Sequence, residues 1–177
     1  AAMQRYAARR LQELGRLDLH GYVLKKDSPS CGMERVRVYG NGGTPVRQGR
    51  GVFAAALLAR LPLLPVEEEG RLHDMRLREN FIERIFGYYR WQQLLSMHPA
   101  PRDLVRFHTQ HKLTLMAHSQ KHYRNMGKLV AQGKDLPAGE LYRRYEAQLL
   151  EALNLKGTGK KHVNVLQHMM GYFKKVL

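Results

Sequence analysis

The spacing of apolar residues at the start of the chain predicts an amphipathic helix. Within residues 3–14, Tyr6, Leu11 and Leu14 recur at helical spacing among several arginines. Gly15 follows at the position where glycine commonly ends a helix. We therefore predict a basic helix that places these three side chains on one apolar face.

Shorter apolar runs, bounded by glycine and proline, follow this helix. Residues 21–24 predict a buried strand, whereas residues 35–39 alternate polar and apolar side chains and predict a half-exposed strand. A helix over residues 52–60 and a short strand over residues 63–66 come next. The order strand, helix, strand predicts part of an α/β domain with crossover connections. The polar residues 67–74 are predicted to form a hinge.

The remainder of the chain shows only helical patterns. Helices are predicted over residues 78–96, 104–132, 140–154 and 162–177. The first of them has a wide apolar face that is formed by Phe81, Ile82, Ile85, Phe86, Tyr89 and Leu94. Two domains are therefore predicted: an incomplete α/β domain over residues 1–72 and an all-α domain over residues 73–177.

The distribution of charge favours a polyanionic partner. The formal net charge is +15 and the pI is near 10.2. Residues 1–60 carry eleven basic against four acidic side chains, residues 61–105 carry six against seven, and residues 106–177 carry thirteen against four. Two basic regions thus flank a nearly neutral connector. The first candidate partner is a nucleic acid, and the second is an acidic membrane surface.

Cysteine content and hydropathy narrow the class of protein. A single cysteine excludes an internal disulfide framework and favours a reducing compartment. No apolar run reaches the length of a membrane span, and the first residues lack the apolar core of a signal peptide. The sequence therefore predicts a cytoplasmic protein with no membrane partner. We also expect truncation at both ends, because there is no initiator methionine and the last residues continue a periodic run.

Polar side chains occupy one face of the helix predicted around residues 108–126. At alternating spacings of four and three, this face contains His108, Lys112, Leu115, Ser119, His122 and Met126, with His111 and His118 beside it. One interpretation is a partly solvated face whose histidines bond to neighbours. The other is a groove for phosphate or ribose, to which Lys121 and Arg124 add donors.

A metal site is the third interpretation of this helix. His118 and His122 have the spacing of two ligands on a zinc-binding helix. Ser119 stands where a metalloprotease needs its general-base glutamate, and no third ligand is evident. The residues therefore exclude a metalloprotease.

Two further segments combine basic and aromatic residues. Tyr142-Arg143-Arg144-Tyr145 and Lys160-Lys161-His162 fit a nucleic-acid surface, where cations contact phosphate and rings stack on exposed bases. The alternative is a solvated helix face with buried tyrosines. Because phosphate contacts release counterions, salt-dependent RNA binding distinguishes the two.

Cys31 lies in the turn Ser28-Pro29-Ser30-Cys31-Gly32, directly after the first predicted strand. A free cysteine is commonly a small buried apolar residue. At a strand end of an open α/β sheet, however, ligands bind, and Lys25 and Lys26 would favour a thiolate. Cys31 could chemically be a nucleophile or a metal ligand, and both roles stay open. A nucleophile needs a neighbouring base and a cluster ligand needs partner cysteines, and neither is evident in the sequence.

These motifs resemble two known families. The run from Leu24 to Gly32 resembles a signature of the TudS thiouracil desulfidase family. A second set is similar to the YbgA-like helical domain and comprises Phe107-His108 through Lys112, Ala117-His118-Ser119, Tyr123-Arg124, Gly127, Asn164-Val165-Leu166-Gln167-His168 and Gly171-Tyr172-Phe173. Their fusion in this order resembles the RudS-type tRNA 4-thiouridine desulfidases.

The resemblance implies a site and a partner. It implies the C-terminal part of a Rossmann-like domain that holds a [4Fe-4S] cluster through three cysteines, with one iron open to thiocarbonyl sulfur. Cys31 would be one ligand, Ser28 would orient substrate or water, and Ser30 and Lys25 are further catalytic candidates. Thiolated tRNA would bind the helical domain through His108, Lys112, His118, Ser119, Lys121, Tyr123, Arg124, Arg143, Arg144, Lys160 and Lys161.

The family's other two cluster cysteines lie upstream of the matching signature. The ligand set in these 177 residues is therefore incomplete, and we expect the fragment alone to be inactive. Two other functions stay open. One is a non-enzymatic nucleic-acid-binding module in which Cys31 is structural, and the other is a desulfidase of free thiouracil.

Overall fold

The computed structural model describes residues 2–40 and 44–173, with Phe173 described by its backbone alone. The chain divides into two compact units, Ala1–Ile85 and Phe86–Leu177, which we name the N-terminal unit and the helical unit. The division falls inside one long helix. The domain boundary at residues 72 and 73 stays a prediction.

The N-terminal unit contains short strands and two helices of its own. Its elements are α1 (Ala2–Leu14), β1 (Tyr22–Leu24), β2 (Val36–Val38), β3 (Val46–Gly49), α2 (Val52–Arg60) and β4 (Val66–Glu68), followed by a 3-10 turn (Arg71–His73) and the start of α3 (Met75–Ser96). The predicted first helix and the helix over residues 52–60 are confirmed. On α1, Leu11 and Leu14 are buried as expected, but Tyr6 is 51% exposed, because Ala7 takes the buried position beside them.

The parallel pair β1 and β4 forms the centre of this unit. Tyr22 lies opposite Val66 and Leu24 lies opposite Glu68, and α2 belongs to the segment that connects the two strands. Parallel pairing is what a crossover connection produces. The prediction of a fully buried first strand is wrong, because only Leu24 is buried and Val23 is 48% exposed. A Rossmann-like origin of this segment stays a prediction.

The second short strand and the predicted hinge both differ from expectation. β4 begins at Val66, so the strand predicted over residues 63–66 is shifted towards the C-terminus. Glu67 and Glu68 belong to this strand and are buried, whereas the sequence assigned them to a polar hinge. Burial is tolerated because each carboxylate has a partner, an arginine for Glu67 and a backbone N–H for Glu68.

An antiparallel hairpin joins β2 to β3. The sequence predicts β2 but not β3, whose first three residues are exposed and carry no alternating pattern. The run Gly40-Asn41-Gly42-Gly43 is expected to end the strand predicted over residues 35–39, and its residues 41–43 lie outside the described residues.

The helical unit contains, among the described residues, only helices, as predicted. It comprises the end of α3, α4 (Pro101–Gln110), α5 (Lys112–His118), α6 (Gln120–Ala131), α7 (Ala138–Asn154) and α8 (Gly159–Phe173). The end of the helix predicted over residues 162–177 falls outside the described residues. The core surrounds Trp91, which is fully buried and stacks on Tyr145, with ring centroids 5.2 Å apart. Trp91 was missed in the predicted face of α3, on which Ile82, Phe86 and Tyr89 are exposed instead.

The continuous helix predicted over residues 104–132 is wrong. The helix is interrupted at His111 and again at Ser119, whose backbone is extended. Ser119 begins α6 by accepting a hydrogen bond from the His122 N–H, which is the usual role of serine at a helix N-terminus. The polar residues between 108 and 126 therefore do not form one face of one helix. Among the described residues, no helix is long and apolar enough to cross a membrane.

Candidate functional site

The Cys31 turn, residues 25–32, leaves the carboxyl end of β1, at the edge where β4 also ends. Two successive glutamates, Glu68 at the end of β4 and Glu69 directly after it, accept hydrogen bonds from the backbone at the two ends of this turn. The Glu69 carboxylate accepts a hydrogen bond from the Lys26 N–H at 2.6 Å, and Glu68 accepts one from the Met33 N–H at 2.7 Å. Neither carboxylate was predicted as a site residue, although three consecutive glutamates directly after an apolar run were a visible signal.

Ser28 organises the interior of the turn. Its Oγ accepts hydrogen bonds from the N–H groups of Ser30 and Cys31, at 3.3 and 3.2 Å, and its carbonyl accepts one from the Gly32 N–H at 2.8 Å. The Ser30 hydroxyl lies 3.0 Å from the Ser28 Oγ and 3.4 Å from the Cys31 Sγ. The two serines and the thiol therefore form one connected set of polar groups.

The first turn of α2 docks directly onto the Cys31 turn. The Ser30 carbonyl accepts hydrogen bonds from the N–H groups of Phe53 and Ala54, at 2.8 and 3.1 Å, and the Gly32 carbonyl accepts one from Gly51 at 2.8 Å. A Cβ at Gly51 would lie 2.3 Å from the Ser30 oxygen and 2.6 Å from the Cys31 nitrogen. Only glycine permits this approach, which fixes the backbone that carries the thiol.

Lys25 points to the glutamate at the entry of the turn. Its ammonium lies 3.1 Å from the Glu69 Oε1; the Lys25 side chain is largely exposed, whereas that of Glu69 is partly buried. Burial alone raises the pKa of Glu69, but the hydrogen bonds from Lys26 and Lys25 outweigh it, so the pKa is lowered. Burial raises the pKa of the Tyr22 phenol. The positive charge of Arg10 opposes this shift, whereas a thiolate at the nearby Cys31 would add to it.

The Cys31 turn contains one thiol that could bind a metal. Cys31 is a free cysteine of intermediate exposure. Within residues 2–40 and 44–173, no group of three histidine, cysteine, aspartate or glutamate side chains comes together as a metal site. Among the described residues, the thiol of Cys31 is therefore a single potential metal ligand and not a complete metal site.

Three of the residues predicted to bind RNA are buried inside the helical unit. The His108 Nδ1 lies 3.1 Å from the Tyr145 hydroxyl, and its ring stacks on Tyr123 with centroids 5.0 Å apart. The His118 Nδ1 lies 2.6 Å from the Leu155 carbonyl, and Ser119 caps α6. This geometry favours the structural interpretation for His108, His118 and Ser119.

The predicted cations are more accessible. Lys121, Arg124, Arg143, Arg144 and Lys160 are exposed. Arg144 pairs with Glu140 on the same helix, and Arg143 donates to the Gly139 carbonyl. The other two predicted RNA-binding lysines form hydrogen bonds that link α8 to α5. Lys112 donates to the Tyr172 hydroxyl at 2.6 Å, and Lys161 donates to the His118 carbonyl.

Comparison with known proteins gives separate matches for an N-terminal and a C-terminal part of the chain. Residues 1–69 match the family model described as 2-thiouracil desulfurase, and residues 112–177 match that described as protein of unknown function (DUF1722). The uncharacterized protein YbgA of Escherichia coli (strain K12) is 30% identical over 102 residues, or 56% of this chain.

The chain joins a desulfurase-type segment to a YbgA-like segment. It spans 59% of the length of the YbgA protein that it matches. No solved structure matches the chain. The match over residues 1–69 links this segment, by similarity alone, to a desulfurase family.

The N-terminal cap of α6 provides a stability test of the helix break. Replacing Ser119 with alanine removes the acceptor for the His122 N–H, so we expect the free energy of unfolding to fall by about 1 kcal/mol. Urea unfolding followed by Trp91 fluorescence measures this loss in the helical unit. Thr109→Ala is the control, because this exposed hydroxyl only bonds back to the Val105 carbonyl of its own helix. Equal losses in the two variants would contradict the cap.

The buried histidines His108 and His111 predict acid sensitivity of the helical unit. Burial lowers the pKa of both histidines below the ordinary value of 6.5. A charged His111 lowers the pKa of His108 further, and the positive charge of Arg90 lowers the pKa of His111 further. Below about pH 6.5 the unfolded chain takes up protons that the folded unit resists, so stability falls as the pH drops.

Urea unfolding at neutral and mildly acidic pH, monitored by Trp91 fluorescence, measures this slope. We expect His108→Gln to lower the slope, because glutamine does not titrate. His162→Gln, which changes an exposed histidine, should leave it unchanged. An unaltered slope in the His108 variant would contradict the assignment.

Proposed function

We propose that the protein is a tRNA 4-thiouridine desulfidase that converts thiolated uridine to uridine in the cytoplasm. The observation that carries this proposal is the Cys31 turn, which connects a free thiol to two hydroxyls at the carboxyl edge of a parallel strand pair. The same turn lies in the segment that matches the 2-thiouracil desulfurase family. In this proposal the N-terminal unit is the end of a Rossmann-like catalytic domain.

Cys31 is proposed as one ligand of a [4Fe-4S] cluster in the full-length protein. It is the single cysteine of the 177 residues, so further cysteine ligands would come from outside them. When bound, such a cluster with an open iron supplies a Lewis acid that prefers soft sulfur. The partly exposed thiolate and the rigid backbone beneath it suit a ligand whose position must not change.

The serines of the turn would orient groups at the sulfur. Both N–H groups that bond to the Ser28 Oγ occupy its acceptor positions, so its own hydrogen is free to point to the Ser30 Oγ. Ser30 can then donate to the Cys31 Sγ. Hydrogen bonds to sulfur tune iron-sulfur centres. Ser28 and Ser30 therefore act as positioning residues in this proposal, and Lys25 supplies positive charge at the entry of the turn.

The helical unit is proposed to bind the RNA. Its support is the excess of basic side chains after residue 106 and the exposure of Lys121, Arg124, Arg143, Arg144 and Lys160. Arginine and lysine at the surface bind phosphate through charge-assisted hydrogen bonds. We therefore expect tRNA affinity to fall steeply as the salt concentration rises.

A second candidate is a desulfidase of free thiouracil, which the name of the matching family, 2-thiouracil desulfurase, favours. An anaerobic competition assay with the iron-loaded full-length protein separates the two. We expect 4-thiouridine-containing tRNA to lose its near-ultraviolet absorbance, with little effect of excess 2-thiouracil. Consumption of 2-thiouracil alone would assign the free base as substrate instead.

A further inference from the structure

A cavity of about 460 Å³ lies in the helical unit, between the end of α3 and α4. Its lining includes Arg90, Leu94, Met97, Arg106, Phe107 and His111. Its volume is in the range of small-molecule sites in proteins. The lining residues lie between the matched ranges 1–69 and 112–177 and outside the Cys31 turn, although Phe107, Gln110 and His111 belong to the YbgA-like motif of the sequence.

The floor of the cavity suits a flat aromatic ring. Leu94 and Phe107 are buried there, and Met97, which is 70% exposed, stands at the rim with a flexible thioether. The His111 ring stacks on Phe107, with centroids 4.0 Å apart and an angle of 23° between the ring planes, so each ring holds the other in place. A base with its own π-face can stack on or beside such a pair.

His111 gives this apolar floor a directed polar group. Its Nδ1 lies 2.8 Å from the Phe107 carbonyl, which can only accept, so Nδ1 carries the hydrogen. Because the ring is 9% exposed and neutral near pH 7, its Nε2 is a hydrogen-bond acceptor. A ligand that fits this position must present an N–H donor within its ring system.

Two arginines bring positive charge to the same cavity. Arg106 is 67% exposed in its side chain and donates to the Asp103 Oδ1 at 2.9 Å, while the Asp103 Oδ2 accepts from the Ala100 N–H. Arg90 is exposed, with its guanidinium 5.9 Å from the Phe86 ring centroid. Guanidinium groups bind phosphate oxygens with directed hydrogen bonds. The charge of the rim therefore complements an anionic group on the ligand.

We propose that this cavity binds a uridine nucleotide, with the base N3–H donating to the His111 Nε2 and the phosphate on Arg90 and Arg106. Uracil combines a small flat ring with a ring N–H donor, and the nucleotide adds the anion. This site goes beyond the proposed desulfidase chemistry, and its test does not depend on Cys31. The failure of one proposal therefore leaves the other standing.

Titration of the chain with uridine 5′-monophosphate tests the site. Calorimetry gives the affinity, and Trp91, the single tryptophan, reports the location because its ring lies 5.4 Å from that of Phe107. We expect saturable binding and a change in Trp91 fluorescence. Ribose 5-phosphate, uridine and N3-methyluridine monophosphate each lack one recognised group, so each should bind about tenfold more weakly or worse. Equal affinity for ribose 5-phosphate, or no saturable binding, would overturn the proposal.

Two variants assign the contacts. His111→Phe keeps a ring on Phe107 but removes the acceptor, and Arg90→Gln removes an exposed charge; each should weaken the nucleotide affinity about tenfold. Lys128→Gln on α6 changes an exposed cation that does not line the cavity and should have no effect; an equal loss in this control would overturn the assignment. A single-stranded uridine hexanucleotide supplies the last arm. Weaker hexanucleotide binding by His111→Phe assigns the cavity to RNA, whereas unchanged hexanucleotide binding assigns it to the free nucleotide.

Discussion

Replacing Cys31 with serine is expected to abolish sulfur release from thiolated tRNA by the full-length protein. Thiolates are the ligands that iron-sulfur clusters require, and a serine hydroxyl is a poor substitute. Loss of partners that only surround a metal ligand typically costs 10–100-fold. For a direct ligand we expect at least about 100-fold lower activity, with fewer irons bound per protein.

The fold should survive this substitution. Cys31 is partly exposed and serine has nearly the same shape, so the free energy of unfolding should change by less than about 1 kcal/mol. Thermal unfolding of the variant is therefore the control for the activity assay. Undiminished sulfur release by a folded Cys31→Ser protein would leave Cys31 with a structural role and favour a non-enzymatic nucleic-acid-binding module.

Replacing Gly51 with alanine is expected to disable the same site without touching a reactive group. The added Cβ would meet the Ser30 oxygen and carbon at 2.3 and 2.4 Å and the Cys31 nitrogen at 2.6 Å. All three are backbone atoms, which cannot rotate away, so the turn and α2 must separate. That movement breaks the hydrogen bonds from Gly51 to Gly32 and from Phe53 to Ser30, both 2.8 Å long.

We expect Gly51→Ala to lower the free energy of unfolding by about 3 kcal/mol, as overpacking in close contacts does, and activity by at least about tenfold. Chemical unfolding and the desulfuration assay measure the two effects. Gly139→Ala is the matched control, because a Cβ there has no neighbour within 4 Å among the described atoms. If Gly51→Ala behaves like this control, the close approach of α2 to the turn is wrong.

Local signals made part of the N-terminal unit predictable. The helix over residues 52–60 agrees with the structure because a run of alanine and leucine between glycine and proline determines its own bounds. The position of the Cys31 turn was predictable for the same reason, since glycine, proline and serine cluster there. β3 was not, because Arg47 and Gln48 are exposed and the strand exists through its pairing with β2.

Contacts between distant residues account for the remaining differences. Glu67 and Glu68 look like hinge residues in the sequence, and only the partners Arg71 and Met33 make their burial possible. Ser119 is compatible with the inside of a helix until its hydroxyl caps α6 instead. The role of Gly51 depends on the approach of a turn twenty residues upstream, which no local pattern reveals.

The most direct test of the central claim is mass spectrometry of the nucleosides in thiolated tRNA after anaerobic incubation with the iron-loaded full-length protein. We expect one uridine to appear for each 4-thiouridine that disappears, and no conversion with the Cys31→Ser protein. Unchanged 4-thiouridine in the presence of a fully iron-loaded, folded wild-type protein would contradict the proposed function.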